Sequence, residues 1–391
     1  MRHVIRPTAL LAALLLPAAA ASAQAPGGKV SQARVDSAID HGARYLLGLA
    51  KNGKIPAPVT QHAGELTYHE LVFYTLIHAG VPESDPEFQK LLDDLLNKEL
   101  KRTYCVALTA MALNKLDPEK YQWRIAQCAQ FLVDNQCENG QWSYGDPVKL
   151  DKTTPTPSPE ARKKDVYSGG GAGAGGTDAN GQVVAPPKTE RKPSTKALKP
   201  VPVRQRAKGK PSGDNSNTQY AALGLRACLD SGIVIEPKVL ELAMKWWEDA
   251  QTGDGGWCYG NSAGSSYGSM TAGGLGGLCI YRYYLRKAAK GEKKVEDGAA
   301  WLGREFAVDK NPKGDAGHQE WNYYYLYGLE RVGALYGTNF IGGHDWYNEG
   351  AAWLLDQQAA DGSWGKASTN TCWAILFLRR ATKPLPKTYT H

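Results

Sequence analysis

Seven cysteines occur in 391 residues, and no two of them form a C-x-x-C pair. Thiols this sparse do not make a disulfide scaffold, and the usual spacing of a structural zinc site is missing. An odd count leaves at least one thiol unpaired or bridged to another molecule. Cys128 and Cys137 would stand ~13 Å apart on one helix, too far to bridge. No metal and no cofactor is expected. Long apolar runs are scarce as well. The run from Ala9 to Leu16 follows Arg2 and Arg6 and precedes Ala21-Ser22-Ala23. That pattern reads as a secretory signal peptide over residues 1–23, cleaved after Ala23. The run is too short to span a bilayer, and no cysteine follows the cleavage site, which argues against a lipoprotein. The mature chain is expected to be exported, periplasmic or extracellular, with no membrane span.

Net positive charge is also lacking outside one stretch. From Lys149 to Lys210 there are 14 Lys/Arg against 5 Asp/Glu. This surplus exceeds the whole-chain net charge of +7, so the remainder is slightly acidic and offers nucleic acid no basic surface. The same stretch is rich in Pro, Gly and Thr and includes the Gly-Ala run from Gly169 to Gly176. Such a composition cannot bury enough apolar surface to fold alone. Residues 147–213 are expected to be a disordered basic insertion, dispensable for folding. A sharper alternative is a tether to anionic polymers or lipid headgroups.

What is present is a repeat. Gln136-Cys-Glu-Asn-Gly140-Gln-Trp142, Gln251-Thr-Gly-Asp-Gly255-Gly-Trp257 and Gln358-Ala-Ala-Asp-Gly362-Ser-Trp364 share the pattern Q-x-x-x-G-x-W. A worn copy lies at Leu49 to Ile55, keeping Gly53. Each copy joins an amphipathic helical pattern to a second one, the mark of a repeat architecture. Gly permits a sharp reversal, Gln can bond exposed groups at a helix end, and Trp covers the turn while keeping one donor.

Periodicity gives twelve helices. Amphipathic segments at 35–49, 86–96, 118–136, 237–251, 295–306 and 346–357 alternate with segments apolar nearly all round, at 67–79, 102–114, 217–229, 268–285, 320–335 and 369–380. Asp85-Pro86 supplies an N-cap and a first-turn proline. A helix apolar on all sides is buried on both, so the alternation predicts an all-α (α/α)6 toroid: six inner helices ringed by six outer ones. Residues 31–146 and 214–381 form its two halves, and the first and last pairs meet.

In such a ring the loops entering the inner helices form one rim, where three clusters stand out. Asp214-Asn-Ser-Asn217-Thr-Gln219 carries more polar groups than one N-cap needs, leaving cap and site both open. In the run from His318 to Tyr327, His318 and Glu320 could provide acid–base chemistry. Trp321 and Tyr324 suit a cavity wall wet at one edge, although core packing explains most of the tyrosines. Tyr267 opens a Gly-rich run to Gly277 that has neither the strand nor the Gly-Lys-Ser/Thr of a phosphate loop. Close helix packing accounts for those glycines better. Tyr68, His69 and Glu70, and Asn370, Thr371 and Cys372, complete the rim. Asp214, His318 and Glu320 are the candidate catalytic residues. Asn217, Gln219, Tyr267, Trp321, Tyr324 and Cys372 are the candidate ligand contacts.

The repeated turn resembles the QW motif of the squalene–hopene cyclase and protein prenyltransferase superfamily. The resemblance covers nearly all of the chain outside the insertion. It implies a terpenoid cyclase-like toroid in which the motifs tie outer helices together without doing chemistry. The reactive residues of that superfamily are missing. No D-x-D-D occurs; Asp93-Asp94 is the nearest pair. No D-x-C zinc motif occurs, Cys372 having Asn370 and Cys258 having Gly256 in the Asp position. No Cys-Gly-Glu-Gln thioester is present. Three functions stay open. One is a non-catalytic toroid binding a small molecule, lipid, polymer or protein partner. Another is a glycan hydrolase or lyase using Asp214 and Glu320. The third is a divergent isoprenoid cyclase that stabilises cations with aromatic rings.

Overall fold

In this computed structural model the described residues are 29–50, 55, 69–148 and 198–386. The signal sequence, residues 51–54 of the worn motif copy, Tyr68 and residues 149–197 of the insertion lie outside them. Twelve α-helices occur among the described residues. The outer ones are α1 (Gln32–Leu49), α3 (Pro86–Asn97), α5 (Gln122–Asp134), α7 (Pro237–Asp249), α9 (Lys293–Arg304) and α11 (Trp346–Gln357). The inner ones are α2 (His69–Ala79), α4 (Thr103–Leu116), α6 (Asn215–Asp230), α8 (Gly268–Tyr284), α10 (Asn322–Val332) and α12 (Ser368–Leu378). Side-chain pattern separates the two sets except at α5, an outer helix buried from Arg124 to Asp134, which residues after 198 cover on its outward side. On α3, Phe88, Leu91, Leu92, Leu95 and Leu96 bury a single face. On α8 every residue from Gly268 to Tyr281 is buried. Asp85 caps α3 as its sequence predicts, accepting from the backbone of Glu87 and Phe88, with Pro86 in the first turn.

The inner helices pack in order, α2 on α4, α6, α8, α10 and α12, and α12 returns to α2. The ring therefore closes. Its seam is held by Arg379 Nε donating to the His78 carbonyl at 2.8 Å and by the backbone of Val30 donating to Asn348 at 3.2 Å.

The Q-x-x-x-G-x-W turns act as identical clasps. The indole N–H of Trp142, Trp257 and Trp364 donates to the carbonyls of Leu132, Trp247 and Leu354 at 2.7–2.8 Å, tying off the helix just ended. The Gln side chain reaches forward to the next outer helix: Gln136 to Val239, Gln251 to Lys294 and, across the seam, Gln358 to Ala38, at 2.8–2.9 Å. Each Trp backbone N–H donates to a threonine on the following inner helix, Thr218, Thr271 or Thr371. At Gly255, φ is +93° and a Cβ would stand 2.9 Å from the Asp297 carbonyl oxygen, so the turn needs glycine for both conformation and approach. On α8, a Cβ at Gly274 would meet the Trp257 ring at 2.5 Å, which makes that Gly-rich run a packing surface.

The end of the insertion departs from expectation. Residues 198–213, expected to be disordered, are ordered against α5. β1 (Val201–Val203) pairs in parallel with β2 (Ile233–Ile235). Gln130 donates to the Arg204 carbonyl at 2.9 Å, and Arg206 pairs with Asp134 at 3.2 Å. The cause is local. The Asp134 side chain is almost fully buried and needs a cation, which the basic stretch supplies; composition averaged over the whole stretch hides this short segment. A short antiparallel pair, β3 (Phe340–Ile341) with β4 (His344–Asp345), leads into α11.

A C-terminal strap crosses the far end of the ring. Thr382 donates from its backbone and hydroxyl to Glu330 at 2.9 and 2.7 Å, and Arg226 donates to the carbonyls of Lys383 and Pro384. All seven cysteines are free thiols. Burial pushes those of Cys128, Cys279 and Cys372 up to about 12, where they stay protonated and unreactive. Among the described residues no helix is long and apolar enough to cross a membrane.

Candidate functional site

Because the inner helices run the same way, their first turns share one end of the ring. The strap packs at the other end; we call the face formed by these first turns the mouth. The residues gathered there come from α4, α6, α10 and α12. Tyr104 hydrogen-bonds Ser216 and, at 3.0 Å, the Tyr324 hydroxyl, which also lies 3.1 Å from Ser216. Gln219 donates to the Tyr324 hydroxyl at 2.7 Å and accepts from Arg331 at 2.8 Å. A polar chain thus runs from the mouth to a guanidinium deep in the ring.

Around that chain stand aromatic rings. Tyr104 lies on Tyr220 with centroids 4.2 Å apart, and Tyr220 and Tyr324 are parallel at 6.1 Å. Trp373 packs against Tyr324 at 5.2 Å and against Trp321 at 6.2 Å. Trp321 is half-buried at the outer edge; Tyr220, Tyr324 and Trp373 are buried. Burial and the neighbouring phenol hold Tyr324 above the usual tyrosine range, so it acts as a neutral hydroxyl.

The expected site residues fare unequally. Gln219 and Tyr324 touch, and Trp321 joins them. Asp214 is spent as the cap of α6: its carboxylate accepts from the Asn217 backbone at 2.7 Å and from the Asn217 side chain at 2.8 Å. Burial still pushes its pKa up, against those bonds. Asn217 serves the cap and leaves its Oδ1 buried without a partner. Glu320 is exposed on the 3-10 turn Ala316–Trp321. On that turn His318 pairs with Asp315 at 2.8 Å and stacks on Tyr267 at 4.2 Å. Asp214 and Glu320 therefore occupy different settings, one a cap and one in solvent, and share no bond. Cys372 is buried toward Thr75 on α2 rather than open to the mouth.

A second polar group sits where α2 starts. Glu70 is buried and paired with Lys98, which reaches Asp94 at 3.2 Å. The backbone N–H of Ile55 donates to His69 Nε2 at 2.9 Å, so Nδ1 carries the proton facing Asp94 at 3.3 Å. Burial pushes Asp94 up, but His69 and Lys98 outweigh it and hold the carboxyl below its usual range. No group of three or more His, Cys, Asp or Glu suited to a metal ion occurs among the described residues.

Sequence reasoning missed Tyr104, Tyr220, Arg331 and Trp373, and it passed over Ser216 within the polar run from Asp214 to Gln219 that it had marked. The first four sit inside apolar helical patterns. The one available signal was Arg331 in an inner helix, where a charge is out of place.

No protein-family model matches the chain, and no curated protein matches it in sequence. Solved structures do. A tyrosine-to-phenylalanine variant of the type II terpene cyclase MstE from Scytonema, without ligand, superposes with a TM-score of 0.50 at 11% identity, over 89% of this chain and 97% of that one. Another MstE variant, in complex with its product merosterolic acid A, gives 0.50 at 10% identity over the same shares. The chain has a terpenoid cyclase-like fold; likeness at this identity carries architecture and not activity.

Proposed function

We propose that this is an exported, non-catalytic toroid that takes a hydrophobic ligand at its aromatic mouth. The observation that carries the reading is the set of rings of Tyr104, Tyr220, Trp321, Tyr324 and Trp373 around a single polar chain. Flat apolar faces with a few fixed hydroxyls match an apolar ligand bearing few polar groups. Catalysis of the squalene–hopene type is left out because the chain has no D-x-D-D. Glycan cleavage loses its named acids, since Asp214 is engaged as a cap. Export rests on the leader over residues 1–23, and N-terminal sequencing of secreted protein is expected to begin at Gln24.

The direct test is titration of a neutral apolar probe, dodecan-1-ol, followed by tryptophan fluorescence. Saturable binding is expected, weakened about tenfold or more in Trp321→Ala. A wild-type chain that shows no saturation would sink the reading. A second reading has its own observation: Tyr144 and Tyr259 are 51% and 45% exposed beside the start of α6, a surface on which a polymer or partner protein could lie. Soluble oligosaccharides in the same titration separate the two.

A further inference from the structure

Within the ring, among the described residues, three side-chain donors complete no hydrogen bond: Arg331 Nη1, Trp373 Nε1 and the Tyr327 hydroxyl, the last of which faces Tyr74. Their residues are 3%, 5% and 0% exposed. The rest of the guanidinium is firmly held. Its Nη2 donates to Gln219 at 2.8 Å, and its Cζ lies 4.5 Å from the centroid of Tyr327 and 5.4 Å from that of Tyr220. Those rings offset part of the cost of burying the charge. Among the described residues no carboxylate pairs with it. The adjacent Glu330 is turned to Thr382.

A buried cation without a counter-ion is costly, and each unmatched buried donor adds a desolvation penalty of its own. Arg331 Nη1 and Trp373 Nε1, both aimed at Tyr220, call for a physical reason. The chemistry of the donors narrows it. Arg Nη and Trp Nε1 can only donate, so the group that complements them is an acceptor. The fixed positive charge makes an anionic acceptor the strongest fit. Both the guanidinium and the indole N–H face the Tyr220 hydroxyl without completing a hydrogen bond to it, so Tyr220 is the side chain an incoming group displaces.

We infer that the ring interior receives an oxyanion, a carboxylate or phosphate, on Arg331 and Trp373, carried by a ligand whose apolar body lies along Tyr324 and Trp321 to the mouth. This rests on the proposed hydrophobic-ligand site and specifies its chemical class: an apolar acid rather than a neutral lipid.

The test compares dodecanoate, dodecan-1-ol and inorganic phosphate on the mature full-length chain. Dodecanoate is expected to bind about tenfold or more tighter than the alcohol. Arg331→Gln should bring that ratio close to one. Should Arg331→Gln fail to fold, as judged by circular dichroism, Trp373→Phe keeps the ring and loses only the N–H, and should lower the ratio several-fold. Equal wild-type affinities, or a ratio unmoved in the folded variants, would overturn the oxyanion site while leaving the hydrophobic site standing. Phosphate alone binding as tightly as dodecanoate would overturn the apolar body. Failure of both long-chain probes would remove both readings.

Discussion

Trp364 and Trp373 lie nine residues apart and are both buried, yet they are built into opposite situations. Trp364 belongs to an outer clasp, where its indole N–H, its backbone N–H and the neighbouring Gln358 amide each find an acceptor. Trp373 belongs to the ring interior, where its indole N–H faces the Tyr220 hydroxyl and, among the described residues, completes no hydrogen bond. The bonds of the three Gln-Gly-Trp turns are all made, although Trp247, on the outer helix tied off by Trp257, also leaves its indole N–H without a completed bond among the described residues. The clasps repeat one solution three times with matched polar groups; the interior collects Arg331, Tyr327 and Trp373 unmatched. A region that serves stability satisfies its polar atoms, because each lapse costs free energy. A region shaped for a ligand can leave that matching to the ligand.

The largest test of this contrast is Trp257→Ala. Loss of a fully buried tryptophan together with its bond to the Trp247 carbonyl is expected to cost ~3–5 kcal/mol in denaturant unfolding. A protein that kept its wild-type midpoint would contradict the clasp account.

Next comes Glu330, beneath the interior. Burial raises its pKa to about 7, against its bonds to Thr382. The folded state then holds a proton that the unfolded state releases near 4.5. Glu330 therefore favours folding most below that pH, and the contribution is lost as pH rises from about 4.5 to 7, by roughly 3 kcal/mol at most. Stability curves of wild type and Glu330→Gln should diverge across that window; parallel curves would show that Glu330 titrates normally.

The ordered end of the insertion gives a smaller effect. Arg206→Ala leaves Asp134 buried without its cation and should cost roughly 2–3 kcal/mol, below the value for a fully buried pair. Replacing residues 152–197 with a short Gly/Ser linker should change the thermal midpoint little, since loop length enters only logarithmically. Smallest is Gln358→Ala, which loses its bonds to Ala38 and Gly362. It should cost about 1–2 kcal/mol and loosen the seam between α11 and α1, seen as faster amide exchange in α1.

Much of the fold was legible because it is written locally. The spacing of Phe88, Leu91, Leu92, Leu95 and Leu96 states which face of α3 is buried, and the repeated Gln, Gly and Trp state where each outer helix stops. The site was legible only at its edge. Gln219, Trp321 and Tyr324 could be named since they fall at the polar starts of inner helices. Asp214 and Glu320 start such helices as well, and the same signal misled there: a cap and an exposed turn are written with the residues a site would use.

By itself, then, the sequence determined helix type, alternation and the clasps, since these depend on residues within one or two turns of each other. Only the tertiary structure decided that Tyr104, Ser216, Gln219, Tyr324 and Arg331 form one chain. Their side chains meet across a closed ring, over separations of more than a hundred residues in several pairs. No periodicity encodes such a meeting. Likewise, whether a polar atom in an apolar helix finds a partner depends on which helix stands opposite, and ring closure alone settles that.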